Sequence, residues 1–207
     1  AETLSNEGIK ILGTSFKSID LCEDRDRFAK LMKFLKIKQP KSDIVFNLKE
    51  ANKAIKSIQF PIVIRPSYVL GGRAMRIINN NEELEKYFKS DFIMNNKSIL
   101  IDEFLIGAKE IDVDAISDGK DVFISGILEH IEEAGVHSGD SACSLPPQTL
   151  SKRIISDIEN YTIIIAKKLK IIGFINIQYA VKDGKLYVIE VNPRASRTVP
   201  FISKSNG

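Results

Sequence analysis

Tryptophan is absent from the chain, and cysteine and histidine each occur only twice. Without Trp, and with aromatics that do not alternate with basic residues, there is no stacking platform for single-stranded nucleic acid. The net charge of +3 is too small to argue for a polyanionic partner. The lysines from Lys30 to Lys41 are interleaved with Leu31, Phe34, Leu35 and Ile37, which describes a solvated amphipathic helix rather than a phosphate-binding stripe. Cys22 and Cys143 are far apart and form no CxxC, so reduced thiols in a cytoplasmic protein are expected. His130 and His137 lack the Cys neighbours or HxxxH spacing of a zinc site. No apolar run approaches the length of a membrane span, so neither membrane nor nucleic acid is expected as a partner. What remains is the composition of a folded domain, 43% hydrophobic and 28% charged, long enough for one large domain or two small lobes. The chain starts without Met and stops at Ser205-Asn206-Gly207, and is expected to be a fragment.

Along the chain, Gly8 to Thr14 reads as a short buried strand and Asp20 to Lys38 as one helix ended before Pro40. Asn47 with Glu50 three residues later is a capping box opening a helix to about Ile58. A strand at Ile62–Arg65, a Gly71-Gly72 turn, a strand at Ala74–Ile78 and a helix at Asn81–Phe88 follow. From Ser98 the texture turns to strands: Ile99–Phe104, Lys109–Ile116 and Val122–Leu128, the last two joined at Asp118-Gly119. Glu132 to Gln148 is a long loop, a length that is usually either functional or disordered. Ser151 caps a helix running to Lys170 and closed by Gly173, with Ile154, Ile158, Thr162 and Ile165 on one face. A strand pair, Phe174–Val181 and Lys185–Val191, precedes NPRASR. The expectation is an α+β chain in two lobes. Residues 1–20 read as the tail of a preceding domain. Residues 21–100 form an N-terminal part with a lid lobe at about 40–98, and 101–207 a C-terminal lobe with a metal site.

Four constellations carry chemistry. In FPIVIRPSYVLGGRAM (60–75) a buried strand delivers Arg65, and Gly71-Gly72 lets backbone amides approach phosphate oxygens. Arg65 and Arg73 add charge-assisted bonds. On Gly-Gly alone, an ordinary hairpin turn is the simpler reading; no Gly-Lys-Ser/Thr follows as in a Walker A loop. The second is the hairpin with Gln178, Glu190 and Asn192. A three-residue loop Lys182-Asp183-Gly184 would put Ile175, Ile177, Tyr179, Val181, Tyr187, Ile189 and Val191 on one face. Asn176, Gln178, Glu190 and Asn192 would then share the other. Such converging oxygens suit Mg²⁺ shared with phosphates; a solvated polar face is the alternative. Third, Glu110, Asp112 and Asp114 alternate onto one strand face. The two aspartates are expected to be solvent-exposed, leaving Glu110 as the functional candidate. Fourth, Gly135 and Gly139 bracket His137 in a loop able to wrap a ligand; on spacing alone, an exposed loop histidine is the simpler reading.

Together these segments resemble an ATP-grasp domain, specifically that of the carbamoyl phosphate synthetase large subunit. FPIVIRPSYVLGGRA and VIEVNPRA are similar to that family's two signatures. AGVHSGDSACSLP and ILGTSFKSIDLCEDRDRF are similar to its intervening segments, so the likeness runs over essentially the whole chain. The family has two similar halves, one phosphorylating bicarbonate and one carbamate; GGRAM and GVHSGDSACSLP look like the carbamate half. The bicarbonate half, or another ATP-grasp carboxylate ligase such as biotin carboxylase, is the alternative.

The resemblance implies two lobes with the nucleotide bound between antiparallel sheets. It implies that Arg25, Arg65 and the Gly71-Gly72 backbone contact ATP phosphates. Glu103 and Leu105 would lie beside adenine and Glu110 would hold the ribose. Gly135, Val136, His137 and Ser138 would line the nucleotide, with His137 counted among catalytic candidates. Gln178, Glu190 and Asn192 would ligate a pair of Mg²⁺ or Mn²⁺ ions, with K⁺ a further cation, and Arg194 would steady the phosphoryl group in flight. Catalysis would be positioning and charge neutralisation. Implied partners are a glutaminase small subunit, the other large-subunit domains, and the substrates carbamate and ATP.

Overall fold

The computed structural model describes residues 2–9, 11–66, 75–89, 98–135 and 141–206. The chain divides into two compact units, Pro40–Ile106 and a larger one formed by Ala1–Gln39 with Gly107–Gly207. The chain therefore leaves the smaller unit at Ile106 rather than at residue 100, which lies inside a strand.

The smaller unit is an antiparallel sheet in the order β1 (Ser42–Val45), β4 (Ile99–Glu103), β2 (Ile62–Pro66), β3 (Arg76–Ile78). Two helices, α4 (Leu48–Ile58) and α5 (Asn81–Phe88), supply Ala51, Ala54, Ile58, Leu84 and Tyr87 to a core shared with Ile62, Ile64, Ile99 and Ile101. Both helices start with a reciprocal cap. Asn47 accepts from the Glu50 amide at 2.9 Å while Glu50 accepts from the Phe46 amide at 2.8 Å. Asn80 accepts from the Glu83 amide at 2.9 Å while Glu83 accepts from that of Asn79 at 2.9 Å. The first of these boxes is legible in sequence. The chain enters and leaves the unit side by side, because the Glu103 amide donates to the Lys41 carbonyl at 2.8 Å and Ser42 pairs with Asp102.

The larger unit is an antiparallel sheet in the order β7 (Cys143–Ser144), β6 (Val122–His130), β5 (Lys109–Asp118), β8 (Ile172–Lys182), β9 (Lys185–Asn192). One face is covered by α2 (Phe16–Glu23), α3 (Arg25–Phe34) and α6 (Lys152–Lys168). Phe28, Met32, Ile154, Ile158 and Ile165 meet Ile111, Val113, Ile175, Ile177 and Tyr179 there. The buried Tyr179 hydroxyl is satisfied by Thr162 at 2.9 Å. Helices α1 (Glu2–Asn6) and α7 (Val199–Ser205) are short.

Several expectations change. No strand forms among the described residues of Gly8–Thr14: Gly8 and Gly13 have φ of +79° and +109°, and Leu12 is 89% exposed. The segment is instead fastened by Thr14, whose hydroxyl bonds both the carbonyl and the amide of Ile172. The helix expected over 20–38 is two helices, because Asp24 is extended (ψ 105°) and its carboxylate caps Arg27 at 3.0 Å. An Asp side chain competes with helical backbone in this way. Lys36 and Lys170, at φ +59° and +51°, close α3 and α6; α6 thus ends before Gly173, which lies inside β8.

Candidate nucleotide and metal site

The hairpin of β8 and β9 turns on two residues, not three. Lys182 pairs with Lys185, and Asp183 and Gly184 both have positive φ, +50° and +67°, as a type I′ turn requires. Near the turn the pairs are Val181 with Leu186, Ala180 with Tyr187 and Tyr179 with Val188. The ladder then skips Ile189, and Gln178 stands opposite Glu190 and Asn176 opposite Asn192. Ile189 is thus the extra residue of a β-bulge and is 39% exposed. The expected turn and the inward placement of Tyr187 and Ile189 were therefore incorrect: Leu186 and Val188 are the core residues. Yet Gln178 and Glu190 do share a face, as directly opposed residues must. The bulge changes the phase of β9, so Leu186 and Val188 point into the core before it and Val191 after it.

Opposite the helices, this face of the sheet is polar. Glu110, Asp112 and Asp114 on β5 lie beside Ala180, Gln178 and Asn176 on β8. The two aspartates expected to be solvated are 4% and 1% exposed. Buried carboxylates need donors, and each has them. Asp112 receives His130 Nε2 at 2.9 Å and Asn176 Nδ2 at 3.4 Å; Asp114 receives Asn176 Nδ2 at 3.1 Å and the Thr198 hydroxyl. Glu110 accepts from the Gly135 amide at 2.9 Å and has His130 Nδ1 at 3.8 Å. Burial raises the Glu110 carboxyl above its usual range; the Gly135 amide and His130 oppose this, and the Asp112 and Glu190 charges reinforce it. For His130, burial favours the neutral ring but is outweighed by the Asp112 carboxylate, helped by Glu110 and Glu132, so its pKa is raised. Sequence spacing placed Asp112 and Asn176 on their strand faces but gave no sign of their burial or pairing, and none of His130 or Thr198. The available signal was that Ala180 and Leu128 share the face, so it could not be wholly solvated.

Glu110, Asp112, His130, Gln178 and Ile189 line a small cleft on this face. Glu190 is exposed beside it, and Asn192 Nδ2 donates to Glu190 Oε1 at 2.9 Å. Among the described residues no three His, Cys, Asp or Glu side chains form a metal cage of their own. One carboxylate with the amide oxygens of Gln178 and Asn192 is a hard-oxygen set of the kind Mg²⁺ takes when phosphates complete its shell. Arg194 is exposed in the turn after β9, with Nη1 on the Ala195 carbonyl at 3.2 Å. Arg25 is exposed at the first turn of α3.

In the smaller unit Arg65 is half-buried on β2, 3.5 Å from Asp102, and its Nε is buried with no hydrogen-bond partner among the described residues. Burial lifts the Asp102 carboxyl to about 6 against the pull of Arg65. Glu103 accepts from the Lys41 amide at 3.1 Å, and Leu105 is 6% exposed. Gly71, Gly72, Arg73, Val136, His137 and Ser138 lie outside the described residues.

Known proteins are similar to this chain in both sequence and fold. It is 56% identical over its full length to the carbamoyl phosphate synthase large chain of Archaeoglobus fulgidus, of which it spans 19%. It is 54% identical over 99% of its length to the C-terminal section of the large chain of Aquifex aeolicus, of which it spans 38%. The D-alanyl-alanine synthetase A structure from Vibrio cholerae superposes on the whole chain with a TM-score of 0.80 at 16% identity, covering 67% of that protein, which shows an ATP-grasp fold. No helix among the described residues is long and apolar enough to cross a membrane. With residues 24–207 matching the family described as carbamoyl-phosphate synthase L chain, ATP binding domain, the chain belongs to that family of ATP-grasp domains.

Proposed function

We propose that this chain is the ATP-binding core that phosphorylates carbamate, within a larger cytoplasmic protein making carbamoyl phosphate from bicarbonate, glutamine-derived ammonia and ATP. One observation carries the reading: Gln178 stands opposite Glu190, and Asn192 bonds to Glu190, on the face that holds Glu110. Support for the carbamate half comes from GGRAM and GVHSGDSACSLP, and from the match to a relative that is itself a C-terminal section of the large chain.

In this reading Gln178, Glu190 and Asn192 hold divalent cations against the phosphates, and bound Mg²⁺ supplies charge neutralisation. Glu110, aimed by the Gly135 amide, takes the ribose hydroxyls. Arg65, whose Nε has no hydrogen-bond partner among the described residues, and Arg25 take phosphate oxygens together with the Gly71-Gly72 backbone. Glu103 and Leu105 flank the adenine, and Gly135 with Val136, His137 and Ser138 lines the nucleotide. Arg194 faces the phosphoryl group in transfer: a carbamate oxygen forms the new bond to the γ-phosphorus as the bond to the ADP oxygen breaks. Carbamate is already an anion, so no general base is needed. The partners are a glutaminase subunit and the remaining large-chain domains, residues 1–20 being the tail of one of them, and K⁺ is a further cation.

The test uses the full-length parent, run backwards, since one transition state serves both directions. Arg194→Ala lowers ATP formation from ADP and carbamoyl phosphate by about 100-fold or more. Bicarbonate-dependent ATP hydrolysis without ammonia stays within about twofold. The opposite pattern, with hydrolysis lost and synthesis kept, assigns the chain to the bicarbonate half.

A further inference from the structure

Thr198 occupies the position before the first turn of α7, where a threonine hydroxyl ordinarily accepts from an amide of its own helix. Here it makes no such cap. Its Oγ1 is bonded to Asp114 Oδ2 instead, across the sheet face. A carboxylate only accepts, so Thr198 donates, and Ser196, 2.6 Å away, donates to Thr198 in turn. The Thr198 amide donates back to Ser196 Oγ at 3.2 Å. Asp114 is 1% exposed and its other oxygen takes Asn176 Nδ2 at 3.1 Å, so it has no freedom to follow the loop; the loop must come to it.

The segment fixed in this way carries Arg194. At one end Asn192 is paired in the sheet with Asn176, the residue that also holds Asp114. At the other, α7 is seated by Ile202, which is 2% exposed and lies so close over Gly126 that a Cβ there would stand 3.1 Å from it. Asn206 Nδ2 adds a bond to the Ser125 carbonyl at 2.8 Å. Between these ends the Arg194 guanidinium is bonded, among the described residues, within its own turn, to the Ala195 carbonyl. An apolar pair would fill the space of Asp114 and Thr198 at lower desolvation cost; what the buried bond adds is a fixed distance between β5 and the Arg194 turn.

We infer that Asp114 and Thr198 are positioning residues for Arg194, holding its turn at the reach the transferring phosphoryl group requires. This rests on the role proposed above for Arg194, and the experiment separates the two. In the full-length large chain, ATP formation from ADP and carbamoyl phosphate is measured for Thr198→Val, Thr198→Ser, Arg194→Ala and the Thr198→Val/Arg194→Ala double variant. A turn displaced by an ångström costs on the order of 100-fold, so Thr198→Val lowers kcat between about tenfold and 100-fold with KM for ADP within about threefold. Thr198→Ser, which keeps the hydroxyl, recovers to within about threefold of the parent. The double variant is no slower than Arg194→Ala alone, since a residue acting through another adds nothing once that one is gone. Additive losses in the double variant, an equal loss in Thr198→Ser, or an unchanged kcat in Thr198→Val each overturn the inference. If Arg194→Ala is itself silent, the role of Arg194 fails first and the inference with it. Should Thr198→Val not fold, Asp114→Asn interrogates the same contact from the strand side, with the same expected split between kcat and KM.

Discussion

Glu190 is the single carboxylate of the proposed cation set and stands in the open, held by Asn192. Replacing it with Gln preserves shape and most hydrogen bonding while removing the charge that faces the metal. Glu190→Gln is therefore expected to fold as the parent does and to weaken ATP binding in the presence of Mg²⁺ by at least about tenfold, the scale of one lost charge-assisted contact. Titration calorimetry with and without Mg²⁺ reads this directly; equal losses in both conditions would show that the carboxylate acts on something other than a cation. The sequence makes Glu190, Gln178 and Asn192 visible because their types are unusual on an otherwise apolar hairpin. It hides Asp112, Asp114 and His130, because a carboxylate paired across a sheet has the same letter and the same alternation as one in water. Which of the two it is depends on donors on other strands, such as His130 and, more than 60 positions away, Asn176.

At the scale of elements, local signals were legible and long-range ones were not. Both the start of α4 at its capping box and that of α6 at Ser151 follow from side chains within three residues. The same holds for the Asp118-Gly119 turn, where Asp118 accepts from the amides of Lys120 and Asp121. The bulge at Ile189 was missed because single-phase alternation was carried from Val191 back to the turn, whereas Asp183-Gly184 sets the opposite phase from the other end. β1 and β7 are short and owe their existence to partners, β4 and β6. β7 leads into a second long-range knot. Glu129, nearly buried on β6, accepts from the amides of Gln148 and Thr149 at 2.8 Å each, from the Thr149 hydroxyl and from Lys109 Nζ at 3.0 Å. Burial opposes ionisation, but these donors together hold its carboxyl down at about 2. A folded value below the unfolded one stabilises the protein at neutral pH, and the gain is lost as pH falls from about 4.5 through about 2. Glu129→Gln is expected to cost about 1–3 kcal/mol at pH 7 and to flatten that part of the acid-unfolding curve. Denaturant titrations across the acid range check both; an unchanged acid limb would remove Glu129 from the account.

For the molecule as a whole, the decisive feature is that the unit 40–106 is an insertion with its own core, separate from that of the larger unit. Its entry and exit strands are bonded to each other at Lys41 and Glu103. Replacing 41–104 by a short Gly/Ser linker is therefore expected to leave the larger unit folded and cooperatively melting, with the face of Glu110, Gln178 and Glu190 intact. Its ATP affinity should fall, because Arg65 and Glu103 go with the insert. Circular dichroism melts with nucleotide titration test this, and a chain lacking any cooperative transition would mean the larger unit cannot stand alone.

The same side-by-side crossing has a mechanical meaning. In a chain as long as the relative from Archaeoglobus fulgidus, of which this segment spans 19%, tension between neighbouring domains would enter through the two ends of this segment, and both ends belong to the larger unit. The insert hangs off the load path like a pendant on a taut cord. While the core that residues 1–39 share with the strands carrying Gln178 and Glu190 holds, strain transmitted along the polypeptide bears on that core and on the proposed cation-holding face, and Arg65 is spared.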